Sequence, residues 1–303
     1  MNIIQVFQSF TTQEQGVEYL EKVRWKGRPI CPYCGADKVC RHASGDRAGI
    51  RWQCQSCTRA FSVTVGTIFH GTHVSLRNWF LVLALMLNAK KSASACQIAR
   101  DLGMRRATVW SMMHRIRTAM ATDQDQSALL YGIVEADECY IGGKPRKPNN
   151  HSEYRPYTSR QKLGRGTDKT PVIGVVERNG RVIARPAEPK DIQSKGLAKF
   201  IDRHVAKGGT MLVTDEYKGY SRVGAGRIHQ TINHSVLYAD GIIHTNTIEG
   251  FWSLVKRAWY GTHHHYSKKY MRLYIAEACY KYNQRNRELT SFFDTMQAMV
   301  YAA

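Results

Sequence analysis

Four cysteines near the start of the chain form two Cys-x-x-Cys pairs. Cys31 and Cys34 lie in "CPYCG", and Cys54 and Cys57 lie in "WQCQSC", with 19 residues between the pairs. This spacing is typical of a four-thiolate zinc site, in which each tight turn presents two sulfurs to one ion. Four unligated thiols or two redox pairs are the alternatives. Because the motif is doubled, we expect one structural Zn²⁺.

The other cysteines have no such spacing. Cys40 lies between the two pairs, and the quartet is complete without it, while Cys96, Cys139 and Cys279 are isolated. Isolated cysteines usually pack in the core as small apolar side chains. With eight cysteines in 303 residues, the cluster predicts a metal site rather than a disulfide framework.

Acidic residues recur in segments that otherwise have the pattern of buried strands or an apolar helix. Asp137 lies within "YGIVEADECYI", Asp215 ends "MLVTD", and Glu249 lies in "NTIEGFWSLVKRAWY". Three carboxylates brought together would need a counter-ion, and two Mg²⁺ ions, or Mn²⁺, prefer such oxygen ligands. Two ions of this kind hold the attacking and leaving oxygens of an in-line phosphoryl displacement.

Each acid has a simpler explanation when it is taken alone. Asp215 could open a turn, and Glu249 could be the capping-box partner of Asn246. Two further acids of the first strand, Glu135 and Glu138, are second choices for the site and lie on opposite strand faces. The joint occurrence of three acids in one order of elements favours the metal site.

The elements that must position these acids alternate between strand and helix patterns. Asn179-Gly180, between two apolar runs, is a strong hairpin signal. The predicted order is a strand at 131–141, a hairpin at 170–188, a helix at 194–206, strands at 209–220 and 227–233, and a helix at 246–260. This order fits a ribonuclease H-like α/β fold, a mixed five-stranded sheet with flanking helices. In that fold the acids meet at one end of the sheet.

A helix-turn-helix pattern precedes this α/β region. In "SASACQIARDLGMRRATVWSMMHRIRTAM" (92–120), Gly103 supplies the left-handed residue of the turn. An ordinary helical hairpin with a solvated basic face is the alternative. The residues expected at DNA bases or phosphates are Arg105, Arg106, Thr108, Arg115 and Arg117.

A second basic region surrounds and follows Glu249. Lys256 lies two turns after Glu249 on the same helix face, beside Arg257, where a cation could contact DNA phosphate. Three consecutive histidines in "GTHHHYSKKYMRLY" do not share a face, so a metal site is not expected there. We expect this segment, with His264 and Lys268, to face nucleic acid.

The overall charge points to a polyanionic partner. The chain has 44 Lys and Arg against 24 Asp and Glu, a formal charge of +20 and a pI near 9.7, which is typical of nucleic-acid-binding proteins. The apolar run at 80–89 is too short to span a bilayer, and no secretory signal is visible. We therefore expect a cytoplasmic, nucleoid-associated protein without membrane contact.

These patterns divide the chain into three predicted domains. They are an N-terminal helix and zinc ribbon at 1–70, a helix-turn-helix region at 71–125, and the ribonuclease H-like domain at 128–295. The polar residues 121–127 are the expected linker, and 142–169 form a long basic segment without periodicity.

Taken together, the motifs resemble those of bacterial insertion-sequence transposases of the DDE superfamily, whose third acidic position is Glu or Asn. The resemblance rests on "CPYCG…CQSC", "ARDLGMRRATVWSMMHRIR", "EADECYIGGK", "VTDEYKGY" and "HTNTIEGFWSLVKR". It implies Asp137, Asp215 and Glu249 as metal ligands, with Asn246 supporting Glu249. Lys256 follows Glu249 by seven residues, as in the family's Glu-x6-Lys helix.

The resemblance also implies an activity and its partners. The expected activity is cleavage and transfer of DNA strands at terminal inverted repeats, with double-stranded element ends and target DNA as substrates. A homo-oligomer is expected on DNA because two ends must be joined. The alternatives are a DNA-binding regulator of the same descent without catalysis, or a related nuclease that cuts without joining.

Overall fold

The computed structural model describes residues 2–42, 50–125, 128–142, 169–224, 226–233, 241–286 and 291–301. The chain divides into two compact units, one of residues 1–126 with 284–303 and the other of residues 127–283. The predicted regions 1–70 and 71–125 therefore share one unit. Most of the predicted basic segment at 142–169 lies outside the described residues.

The first unit contains a small sheet and six helices in the described ranges. With numbering along the chain, they are α1 (Ile3–Ser9), α2 (Gln13–Trp25), β1 (Val39–Arg41), β2 (Trp52–Cys54), β3 (Ala60–Phe61), α3 (Leu76–Asn88), α4 (Ala95–Asp101), α5 (Arg106–Asp125) and α9 (Ser291–Tyr301). The strands form an antiparallel sheet in the order β1-β2-β3. Capping boxes at Asn2 and Thr12 begin α1 and α2.

Helix α9 differs from the sequence prediction, which assigned residues up to 295 to the α/β domain. It packs against α2, α3 and α5 of the first unit, and Phe292, Met296 and Met299 are buried there. The ring of Phe292 meets that of Phe80 edge to face at 6.3 Å. The last helix thus completes the apolar core of the N-terminal unit.

Helices α4 and α5 have the predicted helix-turn-helix arrangement. Ser94 caps α4 through the amides of Cys96 and Gln97, and Gly103 in the turn has φ +62°. Val109, Met113 and Ile116 are fully buried along α5. The helix runs to Asp125, so most of the predicted linker at 121–127 is helical.

The second unit contains the large sheet. Its elements are β4 (Ile133–Ile141), β5 (Thr170–Glu177), β6 (Val182–Pro186), α6 (Ser194–His204), β7 (Met211–Asp215), β8 (Ile228–Ile232), α7 (Asn246–Arg257) and α8 (Met271–Asn283). The strand order is β6-β5-β4-β7-β8. Strand β5 is antiparallel to β4 and β6, whereas β4, β7 and β8 are parallel. This mixed five-stranded arrangement confirms the predicted ribonuclease H-like fold.

Alternation along the strands gives this sheet two apolar faces. Val134 and Ala136 belong to a core with Phe200 of α6, whereas Cys139 belongs to the opposite core with Trp252 of α7. Both faces are covered by helices, which explains the nearly continuous apolar strands.

Helix α7 approaches the sheet closely at Gly174. Gly174 pairs with Asp137 in the β4–β5 ladder, and a Cβ at this position would lie 2.8 Å from the ring of Trp252. The missing side chain therefore leaves the space in which the indole lies.

The described part of the chain contains no helix that is both long and apolar enough to traverse a bilayer.

Candidate active site and metal centre

The four cysteines of the two pairs meet in the small sheet of the first unit. Their Sγ atoms all lie within 4.8 Å of one another, with Cys31–Cys57 at 3.7 Å and Cys34–Cys54 at 3.6 Å. A tetrahedron with Zn–S bonds of about 2.3 Å has edges of about 3.8 Å. The quartet therefore fits a four-coordinate zinc ion.

Backbone amides support the same cluster. The N–H of Cys57 donates to Cys54 Sγ at 3.4 Å, and such bonds lower the pKa of the Cys54 thiol to about 6. Stabilisation of the thiolate is what a zinc ligand requires. Against a hydrogen bond from the Ala36 backbone, burial and the other three sulfurs raise the pKa of the Cys34 thiol to about 12. Cys40 is exposed and lies outside the cluster, as the spacing predicted.

The ribbon is held to α2 by a buried carboxylate. Glu21 accepts the indole N–H of Trp52 at 2.8 Å and pairs with Arg41 at 2.6 Å. The guanidinium of Arg41 also lies over the Trp52 ring at 4.1 Å. Trp52 therefore fixes the ribbon within its own unit.

In the second unit, the sheet brings the first two acids together. Strands β4 and β7 are parallel, with Glu135 opposite Val213. Continued by two residues, this register would bring Asp137 next to Asp215, the last residue of β7, and the charge of Asp215 does act on Asp137. Adjacent parallel strands are about 4.8 Å apart, so the two carboxylates share one end of the sheet.

The third acid belongs to the helix that packs on this end. Asp137 Oδ2 accepts a hydrogen bond from Trp252 Nε1 at 3.1 Å, which joins β4 to α7. An open cleft of about 550 Å³ lies here. Its lining residues are Asp137, Glu138, Glu249, Trp252, Ser253, Lys256 and Arg257.

The acidic side chains around Asp137 repel one another. Burial, followed by the charges of Glu138 and Asp215, raises the pKa of Asp137 to about 7, against the opposing hydrogen bonds from the Glu138 backbone and Trp252. Asp215 is not among the cleft-lining residues, but its charge acts directly on Asp137. A cation held beside Asp137 would relieve this repulsion.

The acids nevertheless do not form one compact ligand set. Within the described residues, the Cys quartet is the one group of three or more candidate ligands whose atoms all lie within 4.8 Å. Asp137, Asp215 and Glu249 therefore share the end of the sheet without all three reaching a common ion in this conformation.

The first turn of α7 decides between the alternatives for Glu249. The N-cap is Thr245 rather than Asn246, and Thr245 Oγ1 donates to Glu249 Oε1 at 3.0 Å. Asn246 is exposed at the first helical position. The Asn246–Glu249 capping box is therefore absent, and the turn presents an exposed Glu249 to the cleft.

The simpler explanation for Asp215 does hold. Asp215 opens a turn, because its Oδ1 accepts the N–H of Tyr217 at 3.1 Å.

Glu138 and Glu135, the second choices for the site, make different contacts. Glu138 accepts a hydrogen bond from Tyr220 at 2.9 Å, and burial beside this acid raises the pKa of Tyr220 well above its usual value. Glu135 is fully buried and does not line the cleft. Instead, its Oε2 accepts the N–H groups of Thr247 and Ile248 at 2.9 and 3.0 Å.

The predicted DNA-binding residues of α5 separate into two groups. Arg105 and Arg106 are exposed and Thr108 is partly exposed. Arg115 is exposed, but its guanidinium donates to the carbonyls of Ile68 and His70 at 2.9 and 3.0 Å.

Arg117 requires a correction. Its side chain is only 1% exposed, so it cannot contact phosphate in this conformation. The physical reason is that α5 packs against α3, α4 and α9, and the contribution of α9 was not foreseen from the sequence.

His264 and Lys268 are exposed in the segment after α7 and are not among the residues that line the cleft. Lys256 and Arg257, in contrast, line the cleft together with Glu249, as the helical spacing predicted.

Sequence reasoning did not single out several residues that contact the site. Arg178, Thr247 and Tyr220 bond to strand acids that lie 43 to 112 residues away in the chain. No local spacing identifies such partners.

A sequence comparison with known families now identifies the chain. The profile of the ISXO2-like transposase domain matches residues 129–283, which is just over half of the chain and almost all of the second unit. The chain belongs to this transposase family. The profile of the transposase zinc-ribbon domain matches residues 11–60, which include all four cysteines of the quartet.

One curated relative of this transposase extends over nearly the whole chain. An uncharacterized protein in transposable element ISH50 of Halobacterium salinarum is 29% identical over 276 residues, covering 88% of this chain and 90% of the relative. The similarity therefore includes both units.

The solved structures that are similar to this transposase have a lower sequence identity to it than the ISH50 relative has. A pre-cleavage Mos1 transpososome is 12% identical, covering 72% of this chain and 77% of that one, with a TM-score of 0.25. The Mos1 strand transfer complex is 13% identical, covering 71% and 76%, with a TM-score of 0.27. The assignment of the fold accordingly rests on the strand order and directions.

Proposed function

We propose that this transposase cleaves DNA at the ends of an insertion sequence and joins the freed 3′ ends to target DNA, with Asp137, Asp215 and Glu249 as its metal ligands. The proposal rests on Asp137 and Asp215 lying on adjacent parallel strands, near enough for their charges to interact, with Glu249 in the same cleft as Asp137.

The reaction consists of two displacements at phosphorus. In the first, water attacks a phosphodiester at the element's end, forming a P–O bond and releasing a 3′-hydroxyl. In the second, that hydroxyl attacks a phosphodiester of the target, and one new strand linkage replaces one broken linkage. The same cleft serves both steps because each is an in-line exchange of oxygens at phosphorus.

The carboxylate donors suit a hard divalent cation. When bound, Mg²⁺ or Mn²⁺ would stabilise charge on the attacking and leaving oxygens. Asp137 lies between β7, which carries Asp215, and α7, which carries Glu249. Two ions could therefore each be held by Asp137 and one other acid, and the three acids would not need to reach a single ion.

The residues of α7 supply the positive side of the cleft. Lys256 and Arg257 are exposed in the cleft that also contains Asp137 and Glu249. Cations beside the acids would hold the phosphates that flank the scissile bond. Asn246, exposed one turn before Glu249, would support the third ligand.

We assign recognition of the element ends to the first unit. Arg105 and Arg106 are exposed at the beginning of α5, which is the helix that enters the major groove in helix-turn-helix proteins. Zn²⁺ held by the Cys quartet would fix the ribbon. His264 and Lys268, exposed after α7, and Arg115 would add phosphate contacts.

Joining two ends requires at least two copies of the chain on DNA, so we propose a homo-oligomer in the synaptic complex. The substrate is chromosomal or plasmid DNA, which places the reaction in the cytoplasm at the nucleoid.

A strand-transfer assay tests this proposal. The full chain is incubated with labelled DNA carrying the inverted repeats that flank its gene, a target plasmid and Mg²⁺. We expect Asp137→Ala and Asp215→Ala to lower nicking and joining by about 100-fold or more while binding the same DNA. Asp202→Ala, at a half-exposed acid of α6, is the control and should retain activity.

Three outcomes would count against the proposal. If both variants join DNA as well as the parent, the site assignment is wrong. Nicking without joining would favour a nuclease, and specific binding without nicking would favour a regulator.

A further inference from the structure

A buried carboxylate on β4 holds the beginning of the helix that carries Glu249. Glu135 Oε2 accepts the N–H groups of Thr247 and Ile248 at 2.9 and 3.0 Å, and its Oε1 accepts the Thr247 hydroxyl at 2.9 Å. The N-cap residue of α7, Thr245, makes no side-chain capping bond to the backbone. The cap of this helix is thus supplied by a residue 112 positions away in the chain.

The carboxylate is itself held by an arginine from the hairpin loop. Arg178 Nε lies 2.7 Å from Glu135 Oε1. The same guanidinium donates to Nδ1 and the carbonyl of His244 at 3.0 and 2.9 Å, immediately before α7. Glu135 is 0% and Arg178 16% exposed at the side chain. Strand β4, the β5–β6 loop and the approach to α7 are therefore joined at one buried point.

Geometry connects this point to the proposed site. Glu135 lies two residues before Asp137 on the same face of β4, and Thr247 lies two residues before Glu249. A shift of α7 along the sheet would therefore change the separation of Asp137 and Glu249 directly. Since a charge-assisted cap is stronger than a neutral one, the network resists such a shift of α7.

We propose that Glu135, anchored by Arg178, is a positioning residue that sets the distance between Asp137 and Glu249 and thereby the affinity for the divalent cation. This inference rests on the proposed function for the identity of the ligands. It excludes Glu135 as a ligand, because its oxygens are occupied by the α7 amides, Thr247 and Arg178.

The test measures Mn²⁺ binding by the full chain without DNA, using electron paramagnetic resonance, at a temperature well below unfolding. We expect Glu135→Gln and Arg178→Met each to weaken Mn²⁺ binding by about 10-fold, as replacements of residues that orient metal ligands do. Arg178→Met is the decisive variant because an arginine cannot be a cation ligand. Thr247→Val, which removes only one hydroxyl, should weaken binding less than Arg178→Met does.

A matched control separates positioning from general stability. Arg227→Met removes another buried arginine of the same unit, which pairs with Asp202 at 2.8 Å and bonds to the carbonyls of Val205 and Ala206. None of the hydrogen bonds that Arg227 makes within the described residues reaches α7, and we expect this variant to lower the melting temperature without changing Mn²⁺ affinity. The double variant Glu135→Gln/Arg178→Met should bind Mn²⁺ no more weakly than the weaker single variant.

The inference is overturned if Arg178→Met and Glu135→Gln lower the melting temperature as Arg227→Met does and leave Mn²⁺ affinity unchanged. A loss in Glu135→Gln alone would instead make Glu135 a ligand and also overturn it. If Glu249→Gln and Asp137→Ala leave Mn²⁺ binding unchanged, the proposed ligands fail, whatever the result for Arg178.

Amide hydrogen exchange gives a readout that requires neither metal nor activity. Glu135→Gln should speed exchange at Thr247 and Ile248 while leaving the amides of α8 unchanged. Unchanged protection of those two amides would contradict the positioning role.

Discussion

Trp252 Nε1 donates a hydrogen bond to Asp137 Oδ2 at 3.1 Å, and the indole lies on Gly174, the residue paired with Asp137 across the β4–β5 ladder. Trp252 thus joins the strand that carries the first acid to the helix that carries the third, in addition to the bonds from Glu135. The indole is only 3% exposed, so it serves both as core and as hydrogen-bond donor. The same relationship makes the site sensitive to changes at a glycine that carries no chemistry.

Gly174→Ala is expected to destabilise the second unit and to impair the site. The new Cβ would lie 2.8 Å from the Trp252 ring, and overpacking of this kind costs about 1–3 kcal/mol. Thermal unfolding would measure the loss. The same displacement should lower the nicking rate, because the indole must move away from Asp137.

Trp252→Phe is the complementary variant. It keeps most of the packing but removes the donor to Asp137, so a fall in stability of about 1–2 kcal/mol is expected. The nicking rate should also fall, because Asp137 loses this hydrogen bond. Retention of full activity by Trp252→Phe would show that the indole N–H does not orient Asp137.

Removal of the zinc ligands should unfold the ribbon. Cys31→Ser and Cys54→Ser replace thiolates of the quartet, and a ribbon with so small a core depends on its metal for folding. Zinc content by atomic absorption and far-UV circular dichroism would follow the loss. Cys40→Ser is the matched control, since Cys40 is exposed between the two pairs and outside the cluster. Equal zinc content in all three variants would contradict the assignment.

The C-terminal helix should be required for the stability of the N-terminal unit. Met299 is fully buried, and the carbonyl of this residue accepts the N–H of Ile68 at 3.4 Å. Met299→Ala is expected to cost about 2–5 kcal/mol, measured by denaturant unfolding. Tyr301→Phe, which removes only a hydroxyl bond to the carbonyl of Arg24, should cost about 1 kcal/mol. Equal effects of the two would argue against a core role for α9.

Replacing different arginines of α5 should have different effects on DNA binding, measured by titration over a range of salt concentrations. Arg105→Ala and Arg106→Ala are expected to weaken end binding and to reduce the salt slope by about 1 each. Arg117→Ala should instead lower stability, because this side chain is buried. A reduced salt slope with unchanged stability in Arg117→Ala would mean that Arg117 does reach phosphate.

The sequence predicted those features that depend on residue spacing or on the pattern of apolar residues within a short segment. The cysteine spacing predicted the quartet, the order of apolar segments predicted the five-stranded sheet, and Gly103 marked the turn between α4 and α5. In each case the decisive residues are close in the chain or belong to one repeating pattern.

Long-range contacts explain what the sequence did not predict. Glu135 was a second choice as a ligand, and its role as the cap of α7 depends on a strand and a helix 112 residues apart. Arg117 looked like a phosphate contact because nothing near it indicated that α9 would return to cover α5. The N-cap of α7 is Thr245 rather than Asn246, and Glu135 supplies the capping bonds that a local side chain usually provides.

We propose that Asp137, Asp215 and Glu249 hold the divalent cations of the reaction. Anomalous diffraction from Mn²⁺ in crystals of the full chain with its end DNA tests it most directly. We expect two peaks about 3.5–4 Å apart, each about 2.1 Å from a carboxylate oxygen of Asp137, with Asp215 on one ion and Glu249 on the other. A complex that cleaves its DNA in the crystal with Mn²⁺ bound elsewhere and none at Asp137 would contradict it.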